Sequence, residues 1–108
     1  IQYTGKKLVI AETAYPFTLG YNDYTNNIIG LSSQLIPAYP ATEQGQLNFL
    51  MDLKNILKQN KNAIGFCYWG GEWTAFRGPV STNGSSWENQ ALFDFNQKEL
   101  PAVKIFNK

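Results

Sequence analysis

The 108-residue chain is 44% hydrophobic and 16% charged, carries a net charge of +1, and contains no histidine and a single cysteine. This balance excludes the strong field that attracts nucleic acid, and no apolar run approaches the roughly 20 residues of a membrane span. The lack of histidine excludes Ser-His and Cys-His catalysis and most zinc sites. Carboxylates are therefore the leading candidates for acid-base or nucleophilic chemistry. Cys67 cannot form an internal disulfide, and its apolar neighbours favour core packing.

The first predicted element is a buried strand over residues 6–12, after a lead-in over residues 1–5. Its aliphatic and β-branched run ends at Glu12, and Pro16 prevents any continuation. A glutamate at the C-terminal tip of a buried parallel strand stands where α/β barrels place catalytic groups. The alternative for Glu12 is a strand-end carboxylate that simply faces water. Because Ile1 is not an initiator methionine and no signal peptide is seen, we expect the N-terminus to have been cut or omitted.

Residues 13–41 form a long connection, which is unusual unless it is functional. Its segment 27–31 is a candidate for local order. The polar run 22–27 offers oxygen ligands for a cation but lacks the acidic density of a calcium loop. An amphipathic helix follows over residues 43–60, with Thr42 as N-cap and an apolar stripe that indicates core packing.

Residues 63–69 predict a second buried strand, and Gly70-Gly71-Glu72-Trp73 follows it directly. The order of strand, loop, helix and strand is that of a parallel βα unit. A second loop covers residues 74–90, and a short extended piece covers 92–95. The chain then turns at 96–98. A last helix begins near Pro101 and covers about 100–107. Strands buried on both faces need neighbours on either side. The sequence therefore predicts the end of a larger barrel rather than a complete domain.

Three segments, 12–16 (ETAYP), 66–69 (FCYW) and 84–95 (GSSWENQALFDF), together resemble glycoside hydrolase family 53. That family comprises arabinogalactan endo-β-1,4-galactanases, and the similarity covers nearly the whole chain. The resemblance implies an α/β fold in which residues 1–108 are the C-terminal quarter of a single (β/α)8 TIM-barrel catalytic domain, with strands 7 and 8, their loops and their helices.

The resemblance also assigns roles to residues. It implies that Glu12 is the nucleophile of a retaining mechanism, whose acid/base partner in the family is the glutamate of an Asn-Glu pair at the end of strand 4. No Asn-Glu pair occurs in this chain, so the fragment alone is predicted to be inactive. Trp69 matches a platform beneath the sugar, with a core tryptophan as its alternative. The remaining residues for which the resemblance implies substrate binding are Tyr15, Trp73 and Trp87.

Two positions depart from the family pattern or leave alternatives open. Many relatives have WEPAW where this chain has Trp69-Gly70-Gly71-Glu72-Trp73, so the carboxylate is displaced by two positions and Glu72 is a poor acid/base candidate. Trp73 either lines an outer subsite or packs under the loop. Trp87 and Asn89 either close the rim of the active site or pack the second loop.

The partners implied are galactan or arabinogalactan and the rest of the barrel, with no nucleic acid and no membrane span. No cofactor is expected, and calcium is an open question, because the 22–27 run lacks the Asp-Gly-Asp pattern that binds it in some relatives. The resemblance implies a secreted, periplasmic or cell-surface bacterial protein. The alternatives are a non-catalytic galactan-binding remnant of such a barrel and a related barrel hydrolase that acts on another β-linked polysaccharide.

Overall fold

Two parallel strands, β1 (Leu8–Thr13) and β2 (Ala63–Tyr68), form the sheet of the protein. The computed structural model describes residues 5–107, so the expectations about Ile1 and most of the lead-in lie outside the described residues. Leu8 pairs with Ala63 and Thr13 pairs with Tyr68, although the register is interrupted twice between these pairs. Both strands therefore end at the same edge of the sheet, as the predicted βα unit requires.

The connection between the strands contains the helix α1 (Glu43–Lys58). Thr42 caps it as predicted, because its Oγ1 accepts a hydrogen bond from the Gly45 amide at 2.9 Å. Gly45 is required here, since a Cβ at this position would lie 1.8 Å from the carbonyl oxygen of Pro40. The helix ends two residues before the predicted limit of 60.

The first loop, residues 14–42, has more local order than a plain connection. Gln34, in a short 3-10 helix (Ser32–Gln34), accepts hydrogen bonds through Oε1 from the Gly30 and Leu31 amides, both at 2.9 Å. Its Nε2 donates to the carbonyl oxygen of Ile28 at 3.0 Å. One side chain thus holds the segment for which the sequence predicted local order.

The core lies where α1 meets the first loop and the C-terminal segment. Tyr15 stacks on Phe49 with ring centroids 4.5 Å apart, and Leu50 is fully buried. The last segment is helical as predicted, but it is a tight 3-10 helix (Pro101–Phe106) rather than an α-helix. Lys54 of α1 donates to the carbonyl oxygen of Ile105 at 2.5 Å, which ties this segment to the helix.

Both strands expose apolar side chains in the described residues, as expected of strands whose burial depends on the rest of a barrel. Leu8, Val9 and Ile64 are 42%, 45% and 63% exposed, because residues 5–107 form a sheet of only these two strands and each has one unpaired edge. Cys67 is also exposed rather than packed in a core. The apolar residues are those of a buried strand, but the neighbours that would bury them are not among the described residues.

Within residues 5–107, no helix combines the length and the apolar character needed to cross a membrane.

Candidate active site

Glu12 and Trp69 lie together at the carboxyl edge of the sheet. The Trp69 amide donates to the carbonyl oxygen of Thr13 at 2.8 Å, which extends the ladder of β1 and β2 by one bond. A cavity of about 270 Å³ opens at this edge. It is lined by Glu12, Thr13, Ala14, Ile29, Trp69, Trp87 and Gln90. The structure thus brings together three of the five residues that the sequence singled out, namely Glu12, Trp69 and Trp87.

Three indoles form one cluster beside Glu12, which we call the tryptophan cluster (Trp69, Trp73 and Trp87). Trp73 meets Trp69 and Trp87 edge to face, with ring centroids 5.6 and 6.4 Å apart. The Trp87 indole N–H donates to the carbonyl oxygen of Trp69 at 3.0 Å, which fixes the orientation of its ring. A rigid indole beside a carboxylate is suited to hold a sugar ring by its C–H face.

Gly70 allows the tryptophan cluster to form. Its φ of +67° lies in the left-handed region, and a Cβ there would approach Trp87 Cδ1 to 2.8 Å and Trp73 Cε3 to 3.0 Å. The glycine that separates this chain from the WEPAW pattern therefore has a packing role.

Trp73 also faces a second cavity, of about 500 Å³, behind Trp87. This cavity is lined by Glu72, Trp73, Thr74, Phe76, Gly84, Ser85, Ser86 and Trp87. Glu72 lies here and not in the cavity of Glu12, so the two carboxylates do not form an acid-base pair across one substrate position.

Tyr15 is not brought to the cavity of Glu12. It is 4% exposed, and its hydroxyl donates to the carbonyl oxygen of Tyr39 at 2.6 Å. The sequence implied a substrate contact, but the structure places this ring in the packing against α1. We therefore leave Tyr15 out of the site proposed below.

A short 3-10 helix (Glu88–Gln90) fastens the second loop to the first. Glu88 Oε1 accepts from the Asn22 amide at 2.7 Å, and Asn89 Nδ2 donates to the carbonyl oxygens of Thr18 and Ile29 at 2.9 and 2.7 Å. Glu88, Asn89 and Gln90 are all 1% exposed or less. Asn89 therefore packs the loops, which was one of its two predicted roles, and it holds Ile29 at the cavity wall.

Burial raises the pKa of the Glu88 carboxyl above its ordinary range, and the nearby charge of Asp23 raises it further, against the hydrogen bonds from the Asn22 and Asp23 amides. Asp23 is 3% exposed, and its Oδ1 accepts from the Thr25 amide at 2.7 Å. Among residues 5–107, no three His, Cys, Asp or Glu side chains group as metal ligands do. Asp23 is the one carboxylate of the 22–27 run, and calcium binding there stays an open prediction.

Sequence reasoning missed two further residues, Gln46 and Tyr68, whose polar atoms lie in contact near the cavity. Tyr68 Oη and Gln46 Nε2 lie 3.2 Å apart. Gln46 sits on α1 and is fully buried. A glutamine among the inward positions of an amphipathic helix was the one signal available, because a buried amide needs partners.

Comparison with known proteins gives a consistent result. The sequence profile described as Glycosyl hydrolase family 53 matches residues 1–106. An arabinogalactan endo-beta-1,4-galactanase of Cellvibrio japonicus is 36% identical over 104 residues, which is 94% of this chain and 27% of that protein. An endo-beta-1,4-galactanase of Bacillus subtilis is 30% identical over 135 aligned residues, covering 94% of this chain and 31% of that protein.

A solved structure, the Ignisphaera aggregans GH53 catalytic domain, superposes with a TM-score of 0.85 and 41% sequence identity, over 98% of this chain and 31% of that one. The fold is accordingly part of a (β/α)8 barrel. The chain belongs to glycosyl hydrolase family 53, and it spans a little under one third of the length of these relatives.

Proposed function

We propose that the chain supplies the nucleophile strand, strand 7 of the barrel, to a retaining endo-β-1,4-galactanase that hydrolyses galactan or type I arabinogalactan. The observation that carries this proposal is the position of Glu12, at the carboxyl end of β1 in one cavity with Trp69 and Trp87. This is the end of a barrel at which catalytic groups stand. The names of the Cellvibrio and Bacillus relatives support the substrate class.

Glu12 attacks the anomeric carbon of the bound galactose, and the bond to the leaving oxygen breaks as the ester to the carboxylate forms. A second carboxyl group, about 5–5.5 Å away, protonates that oxygen and then takes a proton from the water that hydrolyses the ester. Among the described residues, the lining of this cavity includes no carboxylate besides Glu12. The acid/base residue therefore comes from the remainder of the barrel.

Trp69 and Trp87 orient the sugar over Glu12. Their rings share the wall of its cavity, and apolar C–H faces of galactose pack well on indole. Such fixed geometry contributes mainly in the transition state, where a misplacement of about 1 Å costs roughly 100-fold in rate. Trp73, on the other side of Trp87, belongs to an outer part of the same substrate path.

Other parts of the proposal follow from the family. The barrel segments that complete the sheet cover the exposed faces of β1 and β2 and are the structural partner of this chain. The polysaccharide substrate implies a secreted, periplasmic or cell-surface location. We make no assignment of a cofactor.

The test uses the full-length protein that contains this chain. We expect Glu12→Gln and Glu12→Ala to lower the turnover of galactan by about 10⁴-fold or more, the scale seen when a group of a covalent mechanism is removed. Azide should partly restore the Ala variant by acting as an external nucleophile. Glu99→Gln is the control, because this exposed carboxylate of the C-terminal segment lines neither of the two cavities, and it should keep wild-type turnover.

Near-normal turnover by Glu12→Gln would contradict the assignment. A wild-type protein that binds galactan without cleaving it would favour the non-catalytic alternative. Cleavage of a different β-linked polysaccharide in preference to galactan would favour the third hypothesis, that of a related barrel hydrolase.

A further inference from the structure

The hydroxyl of Tyr68 lies at a junction of three segments. It accepts from the Tyr15 amide at 3.1 Å and from Gln46 Nε2 at 3.2 Å. Its own proton has two acceptors in reach, the carbonyl oxygens of Gln90 at 2.8 Å and of Tyr15 at 3.1 Å. The shorter distance and the single proton favour donation to Gln90.

Gln46, on α1, is the second side chain at this junction. Its Nε2 carries two protons and has three acceptors in reach, the carbonyl oxygens of Tyr15 and Ala91, both at 3.0 Å, and Tyr68 Oη at 3.2 Å, so the contact with Tyr68 is the weaker, shared one. Because Gln46 satisfies the Tyr15 carbonyl, the proton of Tyr68 is free for Gln90. The carboxamide is fully buried, so water cannot replace it as a donor. The side chains of Tyr68 and Gln46 thus hydrogen-bond the backbone at Tyr15 in the first loop and at Gln90 and Ala91 at the end of the second.

Each segment at the junction also contributes to the cavity of Glu12. Tyr15 follows Glu12 by three residues, Tyr68 directly precedes Trp69, and Gln90 itself lines the cavity. A change at the hydroxyl would therefore shift the nucleophile, the platform and the opposite wall relative to one another.

We propose that Tyr68 is a positioning residue for the hydrolytic reaction, which acts through the backbone of Tyr15 and Gln90 to fix Glu12 against the sugar, with Gln46 as its support. This inference rests on the proposed function. It differs from a simple packing role, because the ring of Tyr68 already packs against Phe106, with centroids 6.4 Å apart, while the hydroxyl serves the loops.

The hydroxyl keeps its proton in this setting. Burial raises the pKa of Tyr68 to about 12, although the hydrogen bonds from the Tyr15 amide and Gln46 act in the opposite direction. The donor to Gln90 is therefore present throughout the range in which a glycosidase works.

The experiment removes only the hydroxyl, by Tyr68→Phe in the full-length protein, so that the ring contact is kept. We expect kcat on galactan to fall by about 10- to 100-fold, because small displacements of reacting groups are costly, while KM changes by less than about threefold. Tyr39→Phe is the matched control, since it deletes a hydroxyl that donates to Asp52 at 2.7 Å on the exposed face of α1. It should leave both constants unchanged.

The possible outcomes distinguish a positioning role of Tyr68 from a purely structural one. A folded Tyr68→Phe protein with wild-type kcat would overturn the inference, whether or not its thermal stability is lower, and so would a rise in KM alone. If Tyr68→Phe does not fold, Gln46→Met replaces it, and a folded Gln46→Met protein should show the same selective loss of kcat.

A second readout does not need the proposed reaction. Hydrogen exchange of the backbone amides at 12–15 and 87–91 should become faster in Tyr68→Phe and not in Tyr39→Phe. Unchanged exchange would overturn the inference even if the wild-type protein proved inactive on galactan, whereas wild-type inactivity with altered exchange would contradict only the proposed function.

Discussion

Trp69 is 42% exposed although it directly follows a strand whose pattern is that of a buried one. Its backbone is fixed by the bond to Thr13, and its ring stands edge to face with Trp73. An indole held in place on both sides is suited to binding, because the cost of ordering the side chain is met before the ligand arrives. The fixed ring supports the platform role proposed for Trp69, whereas its exposure does not bear on that role, because Leu8 and Val9 are as exposed on this two-stranded sheet.

We expect Trp69→Ala in the full-length protein to lower kcat/KM for galactan by about tenfold or more, because the reacting sugar loses its fixed orientation. Tyr24→Ala is the control, since Tyr24 is an even more exposed aromatic residue, at 68%, and lines neither of the two cavities. It should change kcat/KM by less than about threefold. Steady-state kinetics on galactan measures both effects, and equal losses in the two variants would return Trp69 to a packing role.

Two tyrosines show what a sequence motif leaves undecided. The resemblance of the ETAYP segment also implied substrate binding by Tyr15, yet Tyr15 is buried against Phe49. Tyr68 was part of another motif and received no role, although its hydroxyl joins three segments. In both cases the deciding partners are distant along the chain, so no local pattern contains them.

At the scale of elements, the short helix Glu88–Gln90 shows what the SSWENQALFDF segment contributes to the structure. Its three side chains are buried and hydrogen-bond the first loop or line the cavity of Glu12. Glu88 is the costly member, because its carboxyl is buried near that of Asp23 and its Oε2 has no hydrogen-bond partner.

The raised pKa of Glu88 gives the stability of the full-length protein a defined pH dependence. Burial is the main cause, and it keeps the proton on the folded protein at pH values where the unfolded chain, with a pKa of about 4.5, has lost it. The contribution of Glu88 is therefore fully present below pH 4.5 and declines as pH rises through the folded pKa. Glu88→Gln, which mimics the protonated carboxyl, should be more stable than wild type at pH 7 and lose that advantage at pH 4.

Chemical unfolding at the two pH values measures this difference. Glu99→Gln serves as control, because Glu99 is an exposed carboxylate in the C-terminal segment, and it should show no such change between the two pH values. A Glu88→Gln protein that is less stable than wild type at pH 7 but not at pH 4 would contradict the prediction.

The helix and the strands could be predicted from neighbouring residues, whereas burial and loop conformation depend on residues far apart along the chain. Thr42, the apolar stripe and the positions of the strands are properties of neighbouring residues, so the helix start and the parallel pairing were predicted correctly. The burial of β1 and β2 depends on other strands of the barrel, so the apolar pattern alone does not give their exposure in the described residues. The position of Glu12 beside Trp69 followed from parallel pairing, whereas the Tyr68 junction depends on loop conformations that periodicity does not specify.

At the scale of the whole molecule, residues 1–108 expressed alone should neither fold cooperatively nor cleave galactan. Leu8, Val9 and Ile64 are exposed on a sheet with two open edges, and such surfaces favour association. The lack of a general acid in the cavity of Glu12 would by itself cost about 10²–10⁴ in rate. Sedimentation, thermal unfolding and an assay of released galacto-oligosaccharides test this, with the full-length protein as reference.

A cooperatively folding monomer would contradict the expectation about stability. Galactan cleavage by that monomer would also contradict the need for a second carboxylate from the rest of the barrel.

The long connection between β1 and β2 has a consequence for the order of events in folding. The backbone hydrogen bonds of α1 join residues a few positions apart. Pairing of β1 with β2 instead closes a loop of roughly 50 residues, which costs chain entropy. Glu12 and Trp69 meet only when that pairing forms, because they sit at the paired ends of the two strands. The proposed nucleophile and its platform are therefore brought together only by this pairing, so a chain in which α1 has formed but the strands are unpaired lacks the site.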